Sequence, residues 1–158
     1  MRSSSSRSSI YPYSDKKMQY LTVLAAATTL LAGILHLAMI GSFNKPANFP
    51  WGMLPFSDLL FIISGGAQVF WTIPMFLGWS IRWYYAGIVG TAGLVILLAA
   101  SRIPNPMTGQ GLQNNSIGYL TEIVQIVYII ITGIITGIII VKQRKRIKRS
   151  NSILEKRH

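Results

Sequence analysis

The sequence predicts an all-α, polytopic membrane protein: a four-transmembrane-helix bundle with both termini on the cytoplasmic side (N-in/C-in). Three observations predict it. Four apolar stretches, residues 20–41, 58–79, 83–101 and 119–141, would each span roughly 28–35 Å as helices, against a hydrocarbon core of about 30 Å. The chain is 51% hydrophobic and 12% charged with a mean hydropathy of +0.43, yet it carries a net charge of +11. Charged and apolar residues therefore separate along the chain. The basic residues also favour one side. Arg2, Arg7, Lys16 and Lys17 precede the first span, Arg82 lies between the second and third, and Lys142, Arg144, Lys145, Arg146, Lys148, Arg149, Lys156 and Arg157 follow the fourth. Only Lys45 and Arg102 fall on the other side, so the positive-inside rule places both termini in the cytoplasm of a multi-pass cell-membrane protein.

Residues 1–17, rich in Ser and Arg, lack apolar periodicity and are expected to be disordered. The four-helix domain covers 18–141. The first apolar run is too long for the h-region of a cleaved signal peptide, and Ala25–Ala27 lie inside it, so it reads as a retained anchor. The connection that follows carries Pro46, Pro50 and Pro55 among Phe49, Trp51 and Phe56, a pattern for a loop lying at the headgroup level.

The second helix is expected from Asp58, with Ser57 as its N-cap and a kink at Pro74. A short turn around Ser80–Arg82 makes helices two and three antiparallel neighbours, with Trp79, Trp83, Tyr84 and Tyr85 as an aromatic belt. Gly87, Gly90 and Gly93 predict a smooth strip on the third helix. The longest connection, 102–118, holds Pro104, Pro106, Gly109 and Gly111, and its Asn114-Asn-Ser116 sequon sits close to the fourth helix. That helix is rich in isoleucine and contains Gly133-Ile-Ile-Thr-Gly137, a packing pattern for an internal or an intersubunit face. Residues 142–158 form a basic cytoplasmic tail, in which Lys142, Arg144, Lys145, Arg146, Lys148 and Arg149 suit anionic headgroups at about 1 kcal/mol each. A nucleic-acid partner is not expected for a basic run that directly follows a span.

Polar residues inside the spans indicate which faces point inward, because lipid solvates them poorly. Thr29, Gly33 and His36 share one face, as do Ser64, Gln68 and Thr72, and Glu122, Gln125, Thr132 and Thr136. His36, Asp58, Arg102 and Glu122 converge on the outer third of the bundle, with Gln68 and Gln125 deeper. This cluster admits three roles. Glu122 and Asp58 pair with Arg102 or His36 and hold the helices together. His36 and Glu122 relay protons or handle a solute. His36, Glu122 and Asp58 ligate a divalent metal such as copper or zinc. The last lacks any HxxxH or HxH spacing, and His158 is the only other histidine. No cofactor is otherwise predicted. The chain has no cysteine, which excludes disulfides, iron–sulfur clusters and thiolate metal sites. No nucleophile–base pair or phosphate-cradling loop stands out, so an enzyme is not expected.

The stretch Ser101-Arg-Ile-Pro-Asn-Pro106, followed by Gly118 and Glu122, resembles a pattern of uncharacterised four-helix membrane proteins of archaea and bacteria, some found near cupredoxin-like or respiratory proteins. The matching positions are His36, Arg102, Pro104 and Glu122, and the isoleucine-rich, basic-tailed style resembles archaeal proteins. The expected role is an accessory or scaffolding subunit of a larger membrane complex, with respiratory or copper-dependent complexes as the setting the resemblance implies. The partner would be another membrane protein or a second copy of the chain. The alternative is a small transporter or proton-coupled carrier.

Overall fold

A computed structural model describes residues 16–40, 56–103 and 116–155, the side chains of 56 and 57 excepted. It is all-helical there: α1 (Lys16–Ala38), α2 (Phe56–Leu77), α3 (Ile81–Ser101) and α4 (Ser116–Glu155). All four are long and apolar enough to cross a membrane. The surface along them is itself apolar, with Phe76, Val89, Ile96 and Ile123 among many exposed large side chains. A soluble protein would bury these residues. Here the interior must be distinguished by something other than hydrophobicity.

Small and polar residues make that distinction. On α1 the buried residues Met18, Thr22, Ala25, Thr29, Ala32 and His36, and Met39 just beyond, recur alternately four and three apart. On α4 the series is Gly118, Thr121, Gln125, Tyr128, Thr132, Ile135 and Ile139. On α2, Asp58, Phe61, Gly65, Gln68, Thr72 and Met75 follow the same rule. A spacing averaging 3.5 residues keeps one seam facing its neighbours along the whole helix. α1 packs against both α2 and α4, and α3 packs on α4.

The closest approach lies between α1 and α2. A Cβ on Gly33 would fall 3.0 Å from the Gly65 carbonyl oxygen and 3.1 Å from the Val69 amide nitrogen, and a Cβ on Gly65 would meet the Gly33 carbonyl oxygen at 3.0 Å. Backbone therefore touches backbone, which only paired glycines permit. At this crossing Thr29 donates its hydroxyl to the Gln68 carbonyl, 3.3 Å away on α2. Other buried hydroxyls bond within their own helix, as Thr22 does to Met18 (2.9 Å) and Thr136 to Thr132 (2.8 Å).

Several boundaries differ from the hydropathy reading. α2 starts at Phe56, so Ser57 lies in its first turn rather than capping it. The helix runs through Pro74 but stops at Leu77, because Gly78 adopts a positive φ of 60°. The amides of Gly78 and Trp79 then donate back to the carbonyls of Met75 (3.3 Å) and Pro74 (3.0 Å), which closes the helix end. α3 begins at Ile81 after the Ser80 N-cap. α4 does not end with its apolar run. Its 40 residues, about 60 Å long, continue through the basic segment to Glu155, since Lys, Arg and Gln are good helix formers. The change at 141/142 is one of surface, not of backbone. The other loops, residues 1–15 and the sequon's asparagines lie outside the described residues.

The glycine strip expected on α3 is corrected as well. Gly87 is buried against Tyr128 and Trp71, but nothing lies within 4 Å of a Cβ at Gly90 or Gly93. The same open space surrounds Gly133 and Gly137, so the α4 glycine pair does not pack inside this bundle. Tyr84, assigned above to an aromatic belt, is instead buried in the core, while Trp79 and Tyr85 are exposed.

Candidate functional site

The helix order places Lys16, Lys17, Arg82 and the basic part of α4 at one end of the bundle, the basic end. His36, Asp58, Arg102 and Glu122 fall toward the opposite, mixed-charge end. Arg102 caps the C-terminus of α3, where a cation complements the exposed carbonyls. Its guanidinium donates to Glu122 Oε2 at 2.9 Å and lies 4.3 Å from the Tyr119 ring centroid. One arginine thus ties α3 to two successive turns of α4. The pair is not sealed: the side chains retain 20% and 15% of their exposure.

His36 is buried, with Nδ1 3.1 Å from the Ala32 carbonyl one turn earlier. That contact sets the proton on Nδ1 when it is a donor. The ring meets Phe61 edge-on, with centroids 6.0 Å apart. Asp58 is also buried. Among the described residues, however, no three His, Asp or Glu side chains gather closely enough to hold a metal ion. The proposed ligand trio of His36, Asp58 and Glu122 is therefore not assembled.

Beneath this level lies a second group that carries no formal charge. Gln125 is fully buried and Gln68 is 3% exposed. Neither atom of either amide has a protein hydrogen-bond partner, nor has Glu122 Oε1, whereas the Tyr128 and Thr132 hydroxyls are within reach of each other one helical turn apart. Gln68 and Gln125 occupy a common depth. The Cβ of any residue replacing Gly87 would fall on the Tyr128 hydroxyl and lie 2.7 Å from Trp71 Nε1, so Tyr128 and Trp71 share one level. Gln125 precedes Tyr128 by three residues, and Gln68 precedes Trp71 by three, each one turn toward the mixed-charge end. Trp71 Nε1 itself donates to the Trp83 carbonyl at 3.2 Å. Along α4 these groups extend from Glu122 through Gln125 and Tyr128 to Thr132, a rise of about 15 Å.

The series ends against an apolar plug at the basic end. Met18 (α1), Met75 (α2), Tyr84 (α3), Ile135 and Ile139 (α4) belong to one buried cluster, which also includes the Tyr128 ring. A smaller cluster of Met39, Phe61 and Leu98 packs at the mixed-charge end. Lys142, Arg144, Lys145, Arg146, Lys148 and Arg149 are all exposed on the α4 extension, away from this interior.

Sequence reasoning named Gln68 and Gln125 but missed Tyr128, Trp71 and Gly65. The signal for Tyr128 was present: it lies on the line joining Gln125 and Thr132. Comparisons with protein-family models, with curated proteins and with solved structures each found no match.

Proposed function

We propose that this is a small carrier in the cell membrane, with both termini cytoplasmic, that admits a proton or a small polar solute from the mixed-charge end. One observation supports this reading: buried polar atoms without protein partners at Glu122 Oε1 and on both the Gln68 and Gln125 amides, with the Tyr128 and Thr132 hydroxyls just beyond them on α4. Buried polar groups in native proteins are nearly always satisfied, and each orphan costs about 1–3 kcal/mol. A bundle built only for scaffolding would fill these seam positions with Ala, Leu or Ile. Three residues on two helices that keep this cost imply an occupant that offsets it. The Arg102–Glu122 pair, partly exposed, stands at the entrance, and the Met18–Met75–Ile135–Ile139 plug closes the far side. Passage requires that plug to part, which makes the protein a gated carrier rather than an open pore.

The test is flux. The full chain in liposomes should move protons or small polar solutes faster than protein-free vesicles. A rate equal to that of empty vesicles for every such species would overturn the reading.

A second reading keeps the accessory-subunit role. Its observation is the open space over Gly133 and Gly137, a surface on which another membrane helix fits. The respiratory or copper-dependent setting rests on the short resemblance at His36, Arg102, Pro104 and Glu122. Crosslinking in native membranes that yields only monomers would remove this role.

A further inference from the structure

We infer that the interior site takes an uncharged guest bearing both hydrogen-bond donors and acceptors, such as water, a small amide or a small polyol, and does not take an ion. The inference rests on the carrier reading above and names its substrate class.

The side chains define that class. A primary amide offers one oxygen acceptor and two N–H donors. Two such groups at one depth, Gln68 on α2 and Gln125 on α4, present both polarities to the bundle interior with none of them satisfied by protein. The Tyr128 and Thr132 hydroxyls, engaged with each other, together add one donor and further acceptor capacity. A guest that only accepts, such as an anion, leaves the amide oxygens unpaired. A metal cation leaves the N–H groups unpaired. Only a molecule with both functions satisfies the set.

Charge leads to the same class. Tyrosines apart, the titratable or charged side chain on α1 nearest the level of the amides is His36, about 10 Å along the helix from Thr29. On α2 it is Asp58, about 15 Å from Gln68. On α4 it is Glu122, about 5 Å from Gln125, and its Oε2 is held by Arg102. An ion at the amides would meet only the Glu122 carboxylate, whose charge Arg102 already offsets, in surroundings where an uncompensated charge is expensive. Nor do Gln, Thr or Tyr side chains take up and release protons near neutral pH, so a proton relay has no stations between Glu122 and the plug.

The test uses the full-length chain in liposomes. Shrinkage in a sucrose gradient reads water permeability, and swelling in urea or glycerol reads small-solute entry. A trapped pH dye reads proton flux, and a potassium-sensitive dye reads ion flux. The unmodified chain should speed water, urea or glycerol movement well beyond that of protein-free vesicles, with proton and potassium movement unchanged. Which neutral species moves distinguishes water from larger guests. Gln68→Leu and Gln125→Leu should each lower that rate by about tenfold, the factor one lost hydrogen bond to a buried guest supplies. Gln68→Asn and Gln125→Asn, which keep the amide, should lose less, so a mere packing defect is separated from loss of the polar contact. Proton or potassium flux that depends on the glutamines, without neutral flux, would overturn the neutral-guest inference and leave the carrier reading standing. No protein-dependent flux of any species would overturn both.

Discussion

Toward the basic end, the bundle interior is Met18, Met75, Ile135 and Ile139; toward the other it is Thr29, Gln68, Gln125 and the Arg102–Glu122 pair, beside a small apolar cluster of Met39, Phe61 and Leu98. The two regions share one backbone design, since the same alternation of three and four residues carries α1 and α4 through both. They differ only in what that seam presents. One half is dry and holds itself by dispersion between close-packed apolar groups. In the other, helix contact is secured by glycine and by Thr29 bonding across to α2, and the polar side chains are left over. Stability and chemistry are thus separable along the bundle axis, and substitutions should reveal the division.

The largest effect is expected where α1 and α2 touch. Gly33→Leu would force a side chain into the Gly65 carbonyl and the Val69 backbone, which cannot yield without separating the helices. A loss of about 3 kcal/mol is expected, at the upper end for overpacking, and read by denaturant titration in detergent. Unchanged stability would mean the crossing is not a fixed contact.

Arg102→Ala comes next. It strips Glu122 of its partner on Oε2 while Oε1 already has none, at a cost of about 1–3 kcal/mol. Pairing Arg102→Ala with Glu122→Gln should recover most of the loss in a double-mutant cycle. Additive losses, with the double variant losing the sum of the two single variants, would show that the ion pair contributes nothing.

Gln125→Leu should move stability the other way. Replacing an amide that has no protein partner with an apolar group of similar length should raise stability by about 1 kcal/mol while lowering flux. A large destabilisation instead would mean that the amide is structural. Gly133→Ala and Gly137→Ala should each raise monomer stability by no more than about 1 kcal/mol, the helix-propensity difference alone, because no atom lies near either position.

The four long apolar helices were legible because a run of twenty or so apolar residues has few other uses. Their ends were not. Gly78 stops α2 through a local hydrogen-bond pattern, and the basic residues after Val141 extend α4 through propensity, neither of which hydropathy reports. Inside the spans, polarity against an apolar background drew notice to Gln68 and Gln125. Apolar periodicity could not have found the seams, since outward-facing and core-facing residues are equally greasy. Tyr128 escaped because tyrosine is ordinary at membrane interfaces. Glycine spacing proved ambiguous: Gly87 meets Trp71 and Tyr128, but Gly90, Gly93, Gly133 and Gly137 meet nothing. Gly65 could be recognised only once its partner Gly33 was known to face it. The metal option failed for a similar reason, as residues at one depth on three helices need not converge on one point.

The chain's lack of cysteine makes the central division directly measurable, since any introduced thiol is the only one present. Gln125→Cys and Ile135→Cys place that thiol on the same α4 seam, in the polar half and in the plug. In sealed vesicles, a small polar thiol reagent should modify Cys introduced at 125 rapidly and leave that at 135 untouched. Equal protection of both positions would contradict an accessible polar interior, and equal labelling would contradict the plug.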